Sequence, residues 1–197
     1  MLTIAGRIIM RAFLNIIFLL VFICMVGISF SAGQESSGTV TITYVLHRIP
    51  TIASNQIAVW IENKDGGYVK TLFATQFAAR GGFKKRPQAL PEWVKTSDWE
   101  HRSQAEVDAV SGATQQAGTN ELVWDLTEST GKPVAAGTYV YKIEGIIYWE
   151  NRVLWQGRIN VGGEGNTSIA EATYFPQNAT EKGVLLEQVK AVYDPQR

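Results

Sequence analysis

The chain has 197 residues, with 18 Lys and Arg against 18 Asp and Glu, and it contains one Cys. A chain of this length usually folds as a single domain. The balanced charge is not that of a nucleic-acid-binding protein, which usually carries a basic excess, so no nucleic-acid partner is expected. A single cysteine excludes an intrachain disulfide framework and a zinc site built from cysteines.

The N-terminal segment has the parts of a secretory signal peptide. A basic start precedes an apolar run over residues 16–28, and small residues follow that run. This pattern predicts a signal peptide over residues 1–31, with cleavage after Ser31 or after Gly33. An uncleaved anchor over residues 12–30 stays open, because that stretch is long enough to span a bilayer. The segment predicts a periplasmic or secreted protein that contacts the membrane only through this segment, if it is not cleaved.

The rest of the chain has the period of β-strands. Every second residue is apolar over 40–46 and again over 57–61, and the turn residues 63–67 are followed by a hairpin partner. Further stretches of the same kind lie at 122–125, 138–147 and 153–161. Short strands separated by turns predict an all-β fold, an Ig-like β-sandwich of about seven strands.

Two segments lack a clear period. Residues 75–120 are predicted as one long loop, and a connection of this length inside a compact domain usually serves a function. The glycines and polar residues after position 162 are typical of a linker. The sequence therefore predicts a sandwich domain over residues 38–163, and then a linker with a C-terminal extension over residues 164–197. Within that extension the apolar stretch 184–192 fits either an edge strand or a short helix.

Residues 122–145 read LVWDLTESTGKPVAAGTYVYKIEG. This segment resembles the Ig-like repeat of the flagellar hook-capping protein, in which a Trp-Asp strand end, a Gly-Lys-Pro turn and a Gly-Thr-Tyr strand form a hairpin. The alternation of Tyr139, Tyr141 and Ile143 agrees with a strand inside a sheet. The resemblance implies a fold and says little about function, because such modules serve many purposes.

A second resemblance is carried by segments spread from Val40 to Gly163. They include VWIEN at 59–63, ARGGF at 79–83, LPEW at 90–93, DAVSGAT at 108–114 and the Trp-Asp segment. Together they resemble DUF2271, a predicted periplasmic family of unknown function. The resemblance implies an exported β-sandwich that is often encoded beside extracytoplasmic flavoproteins and electron-transfer components, and it implies no activity.

The residues Asp-Ala-Val-Ser-Gly-Ala-Thr at 108–114 carry the one chemical motif of the chain. They are similar to the acceptor motif of flavinylated proteins, Asp-x-x-Ser/Thr-Gly-Ala-Ser/Thr. In those proteins a flavin transferase moves FMN from FAD onto the last hydroxyl through a phosphoester. The resemblance implies that Thr114 is the acceptor. It implies a recognition frame made of Asp108, Ser111, Gly112 and Ala113.

A purely structural interpretation of the same residues stays open. It is a turn in which Asp108 and Ser111 bond their own backbone and Gly112 takes a left-handed conformation. The acceptor motif commonly continues with another Ser or Thr, where this chain has Gln115 and Gln116.

A basic cluster precedes the motif and consists of Arg80, Lys84, Lys85 and Arg86 around a Gly pair. Such a cluster is typical of a solvated loop, and it also suits a phosphate or an acidic partner. If Thr114 carries FMN, the cluster is the expected source of counter-charge for the phosphate. The distance between the two in space does not follow from the sequence.

Catalytic machinery is not apparent in the sequence. His47 and His101 do not make a three-ligand metal site by themselves, and no phosphate-binding loop or nucleophile elbow is present. Glu62 and Asp65 form a carboxylate pair that a surface turn explains better than catalysis does. We therefore expect a protein that is not an enzyme and that has no metal site.

Three functions remain as hypotheses. The first is a carrier module of extracytoplasmic redox chemistry, with FMN on Thr114 and with a flavin transferase and redox proteins as partners. The second is a structural or protein-interaction Ig-like module with no cofactor and an unknown protein partner. The third is a small-ligand binding protein that uses the loop 75–120. An open cleft at the motif, lined by Trp93, Trp99 or Arg80, favours the first, although the commoner role of such Trp residues is to anchor a loop.

Overall fold

Among the residues that the structure describes, ten β-strands make up most of the fold. They are Thr39–Leu46 (β1), Ile57–Asn63 (β2), Tyr68–Thr75 (β3), Ser111–Gly112 (β4), Gly118–Trp124 (β5), Gly137–Tyr148 (β6), Asn151–Val161 (β7), Asn166–Ile169 (β8), Glu171–Phe175 (β9) and Leu186–Asp194 (β10). The structure, a computed structural model, describes residues 36–49 and 55–196. The predicted signal peptide over residues 1–31 lies outside them. In the described part of the chain, no helix has the length and apolar character needed to cross a membrane.

Two β-sheets are built from these strands. The first has the order β5-β1-β10-β8, and the second has the order β4-β3-β2-β6-β7-β9. Neighbouring strands are antiparallel except for β3 and β4, which run parallel. The predicted hairpins are present, because β2 returns as β3 across the 63–67 turn and β6 returns as β7. The mostly-β fold with two packed sheets, which the alternation predicts, is confirmed.

The inner faces of the two sheets enclose the larger hydrophobic core. It includes Tyr44 from the first sheet and Ile61 and Ile143 from the second, all of them fully buried. Trp124, at the end of β5, places its ring centroid 5.1 Å from that of Tyr139. Alternate side chains of a strand point to the same face of a sheet, so the alternating apolar residues produce this core directly.

Residues 122–145 do not form the predicted hairpin. Strand β5 pairs with β1 in the first sheet and β6 pairs with β2 in the second, so the connection between them crosses from one sheet to the other. The turn chemistry itself is as expected. Asp125 accepts a hydrogen bond from the Thr127 N–H at 3.2 Å, and Gly131 has a φ of 82°. Turn residues specify a local reversal of the chain, but they do not specify which sheet receives the next strand.

Residues 164–197 differ from the linker and extension predicted for them. They supply β8, β9 and β10, and β10 lies between β1 and β8 in the first sheet. The apolar stretch 184–192 is therefore neither an edge strand nor a helix, because its residues enter an interior strand in which Val189, Ala191 and Tyr193 are buried. The ten strands exceed the predicted seven mainly because this tail belongs to the domain.

The long loop predicted over residues 75–120 is a layer of short helices. It contains a π-helical turn at Ala78–Gly82, the helices Phe83–Lys85 (α1), Pro91–Ser97 (α2) and Gln104–Val110 (α3), and a 3-10 turn at Trp99–His101. A further 3-10 turn at Ala179–Lys182 precedes β10. Helices α2 and α3 have seven residues each, about two turns. An apolar helical period is not recognisable over so short a stretch.

A second core lies between this helical layer and the outer face of the second sheet. It contains Trp60 from β2 together with Leu90, Trp93, Trp99 and Val107 from the helical layer. Strands β2 and β6 are consequently buried on both faces over most of their length, and β2 is buried along its first six residues.

Helix α2 is attached to the sheet by a buried carboxylate. Leu90, which precedes the helix, has a φ of 57° and provides no side-chain cap. Instead Glu144 of β6 accepts a hydrogen bond from the Trp93 N–H at 2.9 Å, and Arg152 Nη1 lies 3.1 Å from Glu144 Oε1. The first N–H groups of a helix lack partners within the helix, so this carboxylate acts as a cap that comes from the sheet.

Candidate functional site

The five motif residues lie on three consecutive elements. Asp108 is in the last turn of α3, Ser111 and Gly112 form β4, and Ala113 and Thr114 begin the irregular connection to β5. Strand β4 pairs with the end of β3, with Ser111 opposite Ala74 and Gly112 opposite Thr75. The motif therefore occupies one edge of the second sheet, at the end where β3 finishes.

The motif is not the turn that its residue types also permitted. Asp108 Oδ1 accepts hydrogen bonds from Arg80 Nη2 at 2.7 Å and from Gln104 Nε2 at 3.0 Å, and not from its own backbone. Gly112 is a strand residue and is not among the residues with positive φ. A Cβ at Gly112 would lie 2.4 Å from a ring carbon of Phe73. The turn interpretation is wrong, and close packing on Phe73 is the reason for a glycine here.

The hydroxyl of Ser111 is buried without a hydrogen-bond partner among the described residues. Only two other buried side-chain atoms in the described part of the chain share this property, Thr39 Oγ1 and Trp155 Nε1. A buried polar atom without a partner costs about 1–3 kcal/mol, and a bound group or an ordered water usually explains it. The motif thus contains one hydrogen-bonding group that the protein itself leaves unused.

Thr114 is exposed, and its side chain makes no hydrogen bond to the described residues. The next residue is held firmly, because the Tyr44 hydroxyl of the first sheet donates a hydrogen bond to Gln115 Oε1. The connection from β4 to β5 is therefore anchored at Gln115, and Thr114 beside that anchor is exposed. Gln115, at which the sequence departs from the acceptor pattern, has a structural role.

An open groove of about 300 Å³ lies near the motif, and we call it the Phe77 groove. It is lined by Gln76, Phe77, Arg80, Gly81, Gly82 and Lys85. The ion pair between Arg80 and Asp108 connects the groove with α3, so the basic cluster and the motif are neighbours in space. The cations of the basic cluster do not all line the groove. Arg86 instead lies over the ring of Trp149, with its guanidinium carbon 5.9 Å from the ring centroid.

Trp93 and Trp99 do not line a cleft. Both are buried, with ring centroids 4.5 Å apart. Their indole N–H groups donate to Thr71 Oγ1 at 3.1 Å and to the Ala79 carbonyl at 3.0 Å. The two rings anchor the helical layer, which is the commoner role for such residues, and they are not available to stack a ligand.

The remaining candidates from the sequence are separated in the structure. Glu62 is buried, with Oε1 3.0 Å from Lys142 Nζ, whereas Asp65 lies in an exposed turn beside Lys64. The surface-turn explanation is therefore right for Asp65 and wrong for Glu62. In the part of the chain that is described, no group of three or more His, Cys, Asp or Glu is placed to hold a metal ion.

Two features of this region were missed at the level of sequence. Phe77 is one, because a single aromatic residue after a strand gives no sign that it stays exposed. The other is the buried charge pair of Glu144 with Arg152. For that pair a sequence feature existed, since Lys142 and Glu144 interrupt the apolar strand at alternate positions and so must share one face.

Comparison with known proteins identifies the family. The family described as "Predicted periplasmic protein (DUF2271)" matches residues 39–175, which extend from the first residue of β1 to the last residue of β9 and include the motif. No curated protein and no solved structure matches the chain. The family description confirms the periplasmic location expected from the N-terminal segment. The chain belongs to the DUF2271 family of predicted periplasmic proteins.

Proposed function

We propose that the protein is a carrier in extracytoplasmic redox chemistry and that it bears FMN covalently on Thr114. The observation that carries this proposal is the state of the Thr114 side chain, which is exposed in an irregular connection and makes no hydrogen bond to any residue that the structure describes. A transferase must bring a large nucleotide against the accepting hydroxyl, and a residue inside a helix or an interior strand would not admit it.

The rest of the motif suits this role. Ser111 supplies a hydroxyl with no partner among the described residues, and Ala113 is small and exposed, so both leave room and hydrogen-bonding capacity beside the acceptor. Asp108 is held by Arg80 in a fixed position on α3. These residues fit a recognition frame for a phosphate-linked group, and none of them has to perform catalysis.

The transfer is balanced without chemistry from this chain. The Thr114 oxygen forms a bond to the FMN phosphorus of FAD, the pyrophosphate bond breaks, and AMP leaves with the bonding electron pair. The hydroxyl proton goes to a base of the transferase. The chain contributes an accessible hydroxyl and a fixed frame, and the flavin supplies the redox chemistry once it is attached. In this proposal the protein is a substrate of the transferase and not an enzyme.

The test is the intact mass of the mature protein after export together with a flavin transferase. We expect an added mass equal to FMN minus water in the wild type and in Thr119→Ala, and no added mass in Thr114→Ala. Thr119 is a matched control, because it is an exposed threonine only five positions further along. An unmodified wild-type chain, in cells where a known acceptor protein is modified, overturns the proposal.

A second candidate is an interaction module without a cofactor, and a different surface favours it. The outer face of the first sheet exposes Val123, Val192 and Ile169, and the Ile169 side chain is 79% exposed. Thr41 pairs with both Val123 and Val192, so these residues form a row across the sheet. A partner captured by the wild type and lost in Val192→Lys, from a chain with no added mass, would support this candidate.

A further inference from the structure

We propose that the Phe77 groove is the seat of the flavin carried by Thr114, with the flavin ring against Phe77 and its negative charge beside Arg80 and Lys85. This inference rests on the proposed function and adds to it the residues that hold and tune the attached group.

The sheet register brings the groove and the acceptor to the same place. Strands β3 and β4 run parallel, and Thr75 lies opposite Gly112 at the point where both strands end. Phe77 lies two residues after Thr75, and Thr114 lies two residues after Gly112. The ion pair between Arg80 and Asp108, at 2.7 Å, joins the two segments a second time. A group attached to Thr114 therefore starts at the edge of the groove.

Phe77 is a fixed aromatic surface. One side of its ring packs on Gly82, where a Cβ would lie 2.4 Å from a ring carbon. The residue is nevertheless 41% exposed. A ring that is supported on one side and open on the other is suited to offset stacking with a planar aromatic ligand.

The charge of the groove suits an anionic ligand. Lys85 is exposed and forms no ion pair with the described residues, and Arg80 uses one terminal nitrogen for Asp108. A guanidinium has five N–H donors, so Arg80 retains donors for a second acceptor. A phosphoester is negatively charged, and the flavin gains negative charge when it accepts electrons. Cations in the groove therefore stabilise the reduced form and raise the reduction potential of the attached flavin.

Other aromatic surfaces at this end of the sheet are less suitable. Trp149 is exposed in the β6–β7 turn, but the Arg86 guanidinium already lies 5.9 Å from its ring centroid. Phe175 is covered in the same way by Arg152, at 4.0 Å. Phe77 has no such cation over its ring in the described part of the chain, so its exposed side remains open to a ligand.

The experiment uses the flavin-loaded, exported protein and two readouts. The first is quenching of flavin fluorescence by iodide, which reports exposure of the ring, and the second is the reduction potential. We expect Phe77→Ala to increase quenching by iodide and Lys85→Gln to lower the reduction potential. Lys132→Gln is the matched control, because Lys132 is an exposed lysine in the turn before β6, at the opposite end of the sheet, and we expect it to change neither readout.

The outcomes separate this inference from the proposed function. If the mass shows attached FMN, but iodide quenching and potential are the same in all variants, the groove is not the flavin seat and the proposed function stands. If the chain carries no FMN at all, both proposals are overturned. Thermal unfolding of each variant distinguishes a local effect from unfolding. Lys85→Gln keeps the test valid because Lys85 is exposed and forms no ion pair with the described residues.

Discussion

The two faces of the six-stranded sheet are packed by different means. Along β2 and β6 successive residues alternate between them, with Ile61 and Ile143 on the inner face and Glu62 and Glu144 on the outer face. The inner face meets the other sheet through apolar and aromatic side chains. The outer face meets the helical layer through apolar side chains and through buried charges as well.

This difference shows how each face of the sheet positions the part of the protein that packs against it. Apolar burial has no direction, and it stabilises any close approach of the two sheets. A carboxylate such as Glu144 satisfies particular N–H groups of α2, so it fixes the place of that helix on the sheet. The motif belongs to the same layer, because α3 leads directly into β4. The site is therefore positioned by directed contacts, while the larger hydrophobic core lies on the opposite face.

The strongest way to test this comparison is to remove a large side chain from the inner face. Trp124→Ala deletes a fully buried indole between the sheets, and we expect the free energy of unfolding to fall by about 4 kcal/mol. Urea unfolding measures this loss. Val123→Ala, which changes the exposed neighbour in the same strand, is the control and should stay within about 0.5 kcal/mol of the wild type. Equal losses in both variants would contradict the importance of the inner core.

A change of pH acts on a buried carboxyl group of the outer face. Burial raises the pKa of Glu144 from its ordinary 4.5 to about 7, although the Trp93 N–H and the Arg152 charge oppose this shift. Between these values the folded protein holds a proton that the unfolded chain releases. This contribution to stability is complete below pH 4.5 and is lost as the pH rises through 7. Relative to Glu144→Gln, the free energy of unfolding of the wild type should fall by up to about 3 kcal/mol as the pH rises over this range.

Unfolding in urea at a series of pH values measures that difference. Glu106→Gln serves as a control of opposite sign, because hydrogen bonds from Ser103 and Arg102 lower the pKa of Glu106. The stability that Glu106 contributes is present above its ordinary pKa and is lost as the pH falls. A difference between wild type and Glu144→Gln that does not change with pH would show that Glu144 titrates normally.

The smallest effect is expected at the helix that carries Asp108. Ser103 and Glu106 form a capping box at the start of α3, in which Ser103 Oγ accepts a hydrogen bond from the Glu106 N–H at 3.3 Å. Ser103→Ala should lower the free energy of unfolding by about 1 kcal/mol and increase amide hydrogen exchange in residues 104–111. Ser129→Ala, an exposed serine in a turn, should change neither. Unchanged exchange in Ser103→Ala would mean that the sheet alone holds α3 and β4.

The inner core was predictable from the sequence. Val40, Ile42, Tyr44 and Leu46 occupy alternate positions of β1, and all four are buried. The hairpin of β2 and β3 was equally clear, because turn residues separate two strands of matching pattern. In these cases the decisive interaction is between near neighbours in the chain or depends only on which face a residue points to.

The outer layer was not predictable in the same way. The sequence favours Trp93 and Trp99 as loop anchors but leaves a ligand-stacking role open, and only their burial against the sheet shows that they anchor helices. Strand β10 reads as an extension because its partner β1 lies about 150 residues earlier, with Asp194 opposite Thr39. The segment 122–145 reads as a hairpin because nothing in its turn residues distinguishes a return to the same sheet from a crossing to the other.

At the candidate site the sequence identified the motif residues and the basic cluster but not their relation. Asp108 and Arg80 are separated by 28 positions in the chain and by 2.7 Å in space. Gly112 was assigned to a pliable turn, whereas the ring of Phe73 is what requires a glycine there. Each of these facts depends on a contact between distant segments, which periodicity and local residue preference do not encode.

By itself the sequence determined the β-strand character, the alternating inner core and the motif that ends at Thr114, and it predicted the export segment. The tertiary structure alone decided that the tail completes the first sheet, that most of residues 75–120 form a helical layer, and that a groove with Phe77 and Lys85 lies near the motif. The physical reason is the range of the interactions. Strand alternation and turn chemistry act between residues close in the chain, whereas sheet pairing, helix attachment and the composition of a groove depend on segments that meet only in the folded protein.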